Sequence, residues 1–151
     1  MERPQGMIDI KKFLPHRPPM LLVSNMPHID NESVITEFKI TDDCIFIKNG
    51  HFSETGIIEN AAQTSSAIVG QSYFDKDDLE GTSNKLVGYI SAIKKAVIYQ
   101  LPQVGDTLTS KAKLISRYDG EDLSICTINC SSFINDDLIV DCTLNFLIHE
   151  V

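Results

Sequence analysis

The sequence predicts an α+β fold in which one antiparallel sheet curls around a single helix. Two observations carry that expectation. Only one stretch, Gly50 to Gly70, reads as a long helix, with apolar and small residues at helical spacing: Ile57, Ile58, Ala61, Ala62, Ser65, Ile68 and Val69. Most of the remainder alternates apolar and polar residues with the period of two that belongs to strands. A run of strands flanking one helix is an α+β pattern, since no β–α–β alternation is present to build a parallel sheet.

In chain order, Met7 to Phe13 can form a short helix, with Ile8 and Phe13 as anchors. Leu14 to Val23 contains Pro15, Pro18 and Pro19, three prolines in five residues, which forbid a helix and force an extended path. Its apolar end, Met20 to Val23, can begin a strand or cover a hydrophobic edge. Met26 to Ile40 reads as a hairpin turning at Asp30–Asn31, with Val34, Thr36, Phe38 and Ile40 on one face. Cys44 to Ile47 is a short apolar link. Asp75 to Asn84 is charged and reads as a loop.

Lys85 to Gln100 is too long for a flat strand and is expected to bend or bulge near Lys94–Lys95. Pro102 to Asp106 is a turn. Thr107 to Tyr118 alternates, Asp119–Gly120 is a hairpin turn, and Leu123 to Ile134 and Leu138 to Ile148 follow as strands. The last strand places Leu138, Val140, Cys142, Leu144, Phe146 and Ile148 on one face.

The chain of 151 residues reads as a single domain, 1–151, large enough for a sizeable core. Its 13 Lys and Arg against 21 Asp and Glu give a net charge of −8, which argues against general nucleic-acid binding and anionic membrane surfaces. No apolar run approaches a membrane span, and the N-terminus lacks a signal peptide's apolar stretch. Cys126 and Cys130 share a strand face about 13 Å apart and cannot bridge there. With Cys44 and Cys142 they read as free thiols of a cytoplasmic protein. No His, Cys or Asp spacing assembles a metal site.

The candidate chemistry sits at the start of the helix. Ser53 and Thr55 are candidate caps, and Glu54 meets the positive helix end. Glu59, Gln63 and Ser66 stack on one face. Glu59 lies a turn into the helix beside apolar residues, where a carboxylate needs a partner or a raised pKa. His51 lies just upstream, and a His and a Glu near a helix N-terminus can supply acid–base catalysis. His16, in its proline-locked segment, reads more readily as structural, and His28 and His149 as strand-end residues. Ser65 and Ser66 lie inside the helix, without the Gly-rich turn that exposes a nucleophile.

Three stretches give the chain a family resemblance. LPHRPPMLLVSNM from Leu14, GHFSETGIIENAAQ from Gly50 and GYISAIKKAVIYQLPQVGDTL from Gly88 resemble, in order, segments of the hot-dog fold 3-hydroxyacyl-[acyl-carrier-protein] dehydratases. The resemblance runs nearly end to end. The Pro-Pro-Met-Leu form of the first stretch also resembles relatives associated with aryl-polyene and flexirubin pigments. It implies a sheet wrapped around a central helix, a dimer with a continuous sheet, and an acyl tunnel at the dimer interface. It also implies an active site pairing His51 of one subunit with Glu59 of the other. Here seven residues without a proline separate the two, fewer than in the family, whose loop carries Pro-Gly turns.

The reaction so implied removes water from a 3-hydroxyacyl thioester on an acyl carrier protein or coenzyme A, and needs no cofactor. His51 would take the α-proton, and Glu59 would protonate or orient the leaving hydroxyl. Gln63, Phe52, Thr55, Gly56 and Ile57 would bind substrate. Backbone N–H groups from Thr55 to Ile57 would hold the thioester oxygen, contributing roughly 3–4 kcal/mol. Arg17, Lys85, Lys94 and Lys95 are the candidate carrier-docking cations. The expected assembly is a homodimer, a higher even oligomer or a heterodimer. Two alternatives stay open: a non-catalytic partner or acyl-binding subunit, and an acyl thioesterase.

Overall fold

A computed structural model describes residues 8–70 and 86–150. The expected loop from Asp75 to Asn84, and Lys85 with it, lies outside the described residues. The elements are β1 (Asn25–Ile29), β2 (Ser33–Lys39), β3 (Ile47–Lys48), β4 (His51–Phe52), α1 (Glu54–Gly70), β5 (Leu86–Ile98), β6 (Thr107–Asp119), β7 (Leu123–Ile134) and β8 (Asp137–Glu150). Six strands form one sheet in the order β1-β2-β6-β7-β8-β5, every pair antiparallel. α1 lies against its inner face, as the expected α+β arrangement requires.

Alternation explains which face is inner. Val34, Thr36 and Phe38 of β2, Leu108 and Ala112 of β6, Ile128 of β7 and Leu144 of β8 are all buried toward the helix. Small residues let the sheet come close: Ala61 and Ala67 of α1 are fully buried. So are several polar helix residues. Thr64 Oγ1 lies 2.7 Å from Thr36 Oγ1, and Ser110 Oγ donates to Asn60 Oδ1 at 2.7 Å. Because Ser110 has one proton and gives it to Asn60, Ser132 Oγ must donate to Ser110, at 2.7 Å. These bonds satisfy the side chains of Thr64 and Asn60 inside an apolar enclosure.

Bulges bend the long strands. β5 skips register between Ile90 and Ala92 and again between Ile93 and Lys95, so Lys94 is an extra residue at the second bulge, as expected for that stretch. β6 has a bulge at Ile115, leaving that side chain 59% exposed. On β8 one expectation fails. Ser132 pairs with Val140 but Phe133 pairs with Leu138, so Ile139 is inserted. The insertion turns Ile139 into the core (2% exposed) and Leu138 out to solvent (40%).

In the N-terminal segment the short helix expected over Met7 to Phe13 is, among the described residues, only a 3₁₀ turn at Ile10–Lys12, capped by Asp9. Of the two courses open to the apolar end of Leu14 to Val23, the chain takes the one that joins no strand. The segment runs as a strap across α1, pinned by Leu14 and Leu22, both 1% exposed.

All four cysteines are free, and burial pushes the Cys130 thiol up and that of its cross-strand partner Cys142 up to about 11. Among the described residues, no helix is long and apolar enough to cross a membrane.

Candidate active site

The site begins with a tight hairpin. Asn49 (φ 54°) and Gly50 (φ 77°) both take the left-handed region between β3 and β4, as a two-residue type I′ turn requires. Phe52 N–H donates to the Pro102 carbonyl at 2.8 Å and Val104 N–H to the Gly50 carbonyl at 3.2 Å. The hairpin is therefore clamped by the turn that precedes β6. That clamp, rather than a long loop, places His51. Its Nδ1 lies 3.0 Å from the Asn49 carbonyl oxygen. A carbonyl only accepts, so Nδ1 carries a proton, and in the neutral ring Nε2 is the nitrogen with the lone pair.

α1 starts two residues later. Ser53 caps it: the Gly56 N–H donates to Ser53 Oγ at 3.3 Å, and the Ile57 N–H to the Ser53 carbonyl at 2.9 Å. Two of the three N–H groups expected to hold the thioester oxygen are thus engaged inside the chain. Thr55 remains among the orphan donors of the first turn. Gly56 is required by close approach. A Cβ there would lie 2.5 Å from Phe52 Cε1 and 2.7 Å from Phe46 Cβ. Phe52, Gly56 and Ile57 are buried, so they form the wall beneath the site rather than its surface, and Phe52 packs on Phe38 at 5.5 Å. Thr55 is exposed.

One turn further, Glu59 is half-buried, and Gln63 holds it: Gln63 Nε2 donates to Glu59 Oε1 at 3.1 Å. Gln63 is 1% exposed, and its amide is spent on the strap as well. Leu22 N–H donates to Gln63 Oε1, and Gln63 Nε2 donates to the Met20 carbonyl, each at 2.8 Å. Asn60 Nδ2 adds a bond to the Leu22 carbonyl at 2.8 Å. Gln63 therefore orients Glu59 and ties the helix to the strap. No substrate can reach its amide without breaking those bonds.

Within the chain, the imidazole that faces Glu59 is that of His16, not His51. His16 Nε2 stands 3.9 Å from Glu59 Oε1, with both side chains 29% exposed. Burial lowers the His16 pKa, opposed by the Glu59 charge and reinforced by Arg17. Sequence reasoning set His16 aside as structural. The available signal was the proline bracket itself, Pro15 and Pro18–Pro19, which fixes the course of the two residues between them. What no local pattern shows is that the strap crosses the helix face carrying Glu59.

The docking candidates divide. Arg17 turns inward, its guanidinium donating to the Leu14 and His16 carbonyls at 2.8 Å each. Lys95 pairs with Asp141 of β8 at 2.8 Å, which raises its pKa. Lys94 is exposed at its bulge.

Comparison with known proteins places this geometry in context. A family model described as ApeP-like, ApeP dehydratase, matches residues 8–148. The chain is 28% identical to a 3-hydroxyacyl-[acyl-carrier-protein] dehydratase FabZ of Sulfurovum sp. (strain NBC37-1), over 95% of this chain and 96% of the relative. It is 29% identical to the corresponding FabZ of Wolbachia sp. subsp. Brugia malayi, over the same shares of each. Among solved structures it superposes on a chain of the dehydratase heterocomplex ApeI:P from Xenorhabdus doucetiae. The TM-score is 0.75 at 16% identity, covering 95% of this chain and 91% of that one. This likeness shows that the fold is shared.

Proposed function

The chain belongs to the ApeP-like dehydratase family, and from that premise we propose that it removes water from 3-hydroxyacyl thioesters held on an acyl carrier protein. The observation that carries the reading is the fixed carboxylate of Glu59, gripped through Oε1 by the buried amide of Gln63. Its Oε2 has no hydrogen bond among the described residues and is left to face a ligand.

In the reaction, a base removes the proton from C2 of the acyl chain, and its electron pair becomes the C2–C3 double bond. The C3–O bond breaks, and the hydroxyl leaves as water with a proton from an acid. Glu59 is placed to serve the hydroxyl. His51, with Nδ1–H donated to Asn49, presents an Nε2 lone pair suited to the base. The two act on one substrate across a dimer, His51 from one subunit and Glu59 from the other. The means of pairing is β5, a 13-residue strand at the sheet edge. It leaves Tyr89 and Ile93 47% and 52% exposed, a liability in a free subunit and a surface for a second strand. A monomer in light scattering at micromolar concentration would remove this arrangement.

A second reading has one observation in its favour. His51 is bonded to its own turn and the imidazole opposite Glu59 within the chain is that of His16, so one subunit alone does not bring His51 to its carboxylate. The chain would then act as one half of a heterodimer whose other subunit supplies the base. The deciding assay offers purified chain a 3-hydroxyacyl carrier thioester and follows enoyl product. Product from the chain alone, reduced about 10²–10⁴-fold by Glu59→Gln, supports catalysis by the homodimer. Product only after a second hot-dog subunit is added supports the partner reading. Undiminished product from Glu59→Gln refutes the role given to Glu59.

A further inference from the structure

We infer that His16 is a positioning residue for Glu59, a second imidazole at the site contributed by the same chain as the carboxylate. The inference rests on the dehydratase reading but concerns a different residue from the base.

The strap makes His16 immobile in a way its sequence neighbourhood alone does not. Leu14 and Leu22 are buried at its two ends, and Gln63 and Asn60 hold the Met20 and Leu22 backbone with three bonds of 2.8 Å. Arg17 locks the carbonyls on either side of Pro15. The ring is left with little choice of direction. Its Nδ1 is buried and has no hydrogen-bond partner among the described residues. An unmade buried N–H is costly, so Nδ1 is best left as a lone pair and the proton goes to Nε2. Nε2 is the nitrogen that faces Glu59, 3.9 Å from Oε1.

Two N–H groups therefore stand near the same carboxylate oxygen: Gln63 Nε2 in contact, and His16 Nε2 just beyond hydrogen-bond distance. A glutamate side chain has three rotatable bonds and ordinarily samples several rotamers. With the amide in contact and the ring nearby, Oε1 has less freedom to leave this position. The charged groups that face His16 are Glu59 from α1 and Arg17 from its own strap, and burial opposes its protonation. The imidazole is thus neutral near neutral pH. It orders the carboxylate as a neutral N–H dipole at 3.9 Å, without competing as a second cation.

Two measurements test this, and the first does not depend on turnover. The His16 imidazole is titrated by NMR in wild type and in Glu59→Gln. Loss of the facing negative charge should move the His16 midpoint down, by more than those of His28 and His149. A His16 midpoint that moves no more than theirs overturns the pair, whether or not the protein is active. The second is a kinetic split on a 3-hydroxyacyl carrier thioester. His16→Leu should lower kcat by roughly tenfold to a hundredfold, the cost of a misplaced group, with KM changed less than about twofold. His16→Gln, which keeps an N–H donor at the Nε2 position, should recover most of the loss. Wild-type kcat in a folded His16→Leu, or a loss in His16→Gln as deep as in His16→Leu, refutes the positioning role. If wild type forms no enoyl product, the dehydratase reading falls, and the titration alone decides whether His16 and Glu59 act as a pair.

Discussion

Replacing Gln63 with leucine separates its two tasks. The side chain is nearly isosteric, so packing around it is kept, but three hydrogen bonds are lost. The Leu22 N–H stays buried, since Leu22 is 1% exposed, and loses its acceptor. An unsatisfied buried donor costs about 1–3 kcal/mol. Met20 is exposed, so its carbonyl can turn to water and loses about 1 kcal/mol at most. Placing an apolar group beside the half-buried Glu59 adds a desolvation cost of similar size. The sum is roughly 2–5 kcal/mol. For a chain of this length that corresponds to a melting point lower by about 4–20 °C, compared at fixed protein concentration. The activity on a carrier thioester should fall further than the folded fraction does, because Glu59 also loses its grip. Gln63→Glu retains an acceptor for the Leu22 N–H but sets a second carboxyl against Glu59 in a buried position, so it should be destabilised as well and inactive. A Gln63→Leu variant melting within about 2 °C of wild type would show that the strap does not depend on this amide.

Gly56→Ala should destabilise by about 1–3 kcal/mol through overpacking against Phe52 and Phe46, despite alanine's better helix propensity; an unchanged thermal melt would refute the close approach. The lowered His16 pKa makes a signed prediction. The folded state binds fewer protons at this site than the unfolded one, so its contribution to stability is complete above the unfolded value of 6.5. That contribution is lost as pH falls through the folded value. Stability measured by urea denaturation should decline less on acidification in His16→Gln than in wild type; parallel declines would contradict this. Carrier binding at low salt should weaken more with Lys94→Glu than with Lys95→Glu, because Asp141 already neutralises Lys95, and the difference should shrink as salt rises. Equal effects of the two changes would remove Lys94 from the docking surface.

Local pattern was enough for most of the fold. The period-two alternation of Ser33 to Ile40 and Thr107 to Tyr118 and the run from Leu123 to Ile134 name the strands, and in Ser33 to Ile40 the alternation names the inner face as well, because one buried face forces register. The helix over Glu54–Gly70 follows from its spacing and its Ser53 cap, and the bend at Lys94–Lys95 from a strand too long to stay flat. Glu59 and Gln63, four residues apart on one helix, were legible as neighbours for the same reason.

The tertiary structure decided what depends on pairing across distance. The inserted Ile139 exchanges places with Leu138 because β7 and β8 slip by one residue, a choice made between strands and invisible within either. The Asn49–Gly50 turn became a hairpin because Pro102 and Val104 lie there to receive it. His16 is the clearest case. It lies 43 residues from Glu59 in sequence, and nothing in its own neighbourhood favours a carboxylate as partner. Its position follows from the buried Gln63 and Asn60, whose amides must be satisfied and find the strap's backbone groups free because that segment joins no sheet. Periodicity states which residues are buried. Which buried polar groups satisfy one another is settled only when the chain has closed on itself.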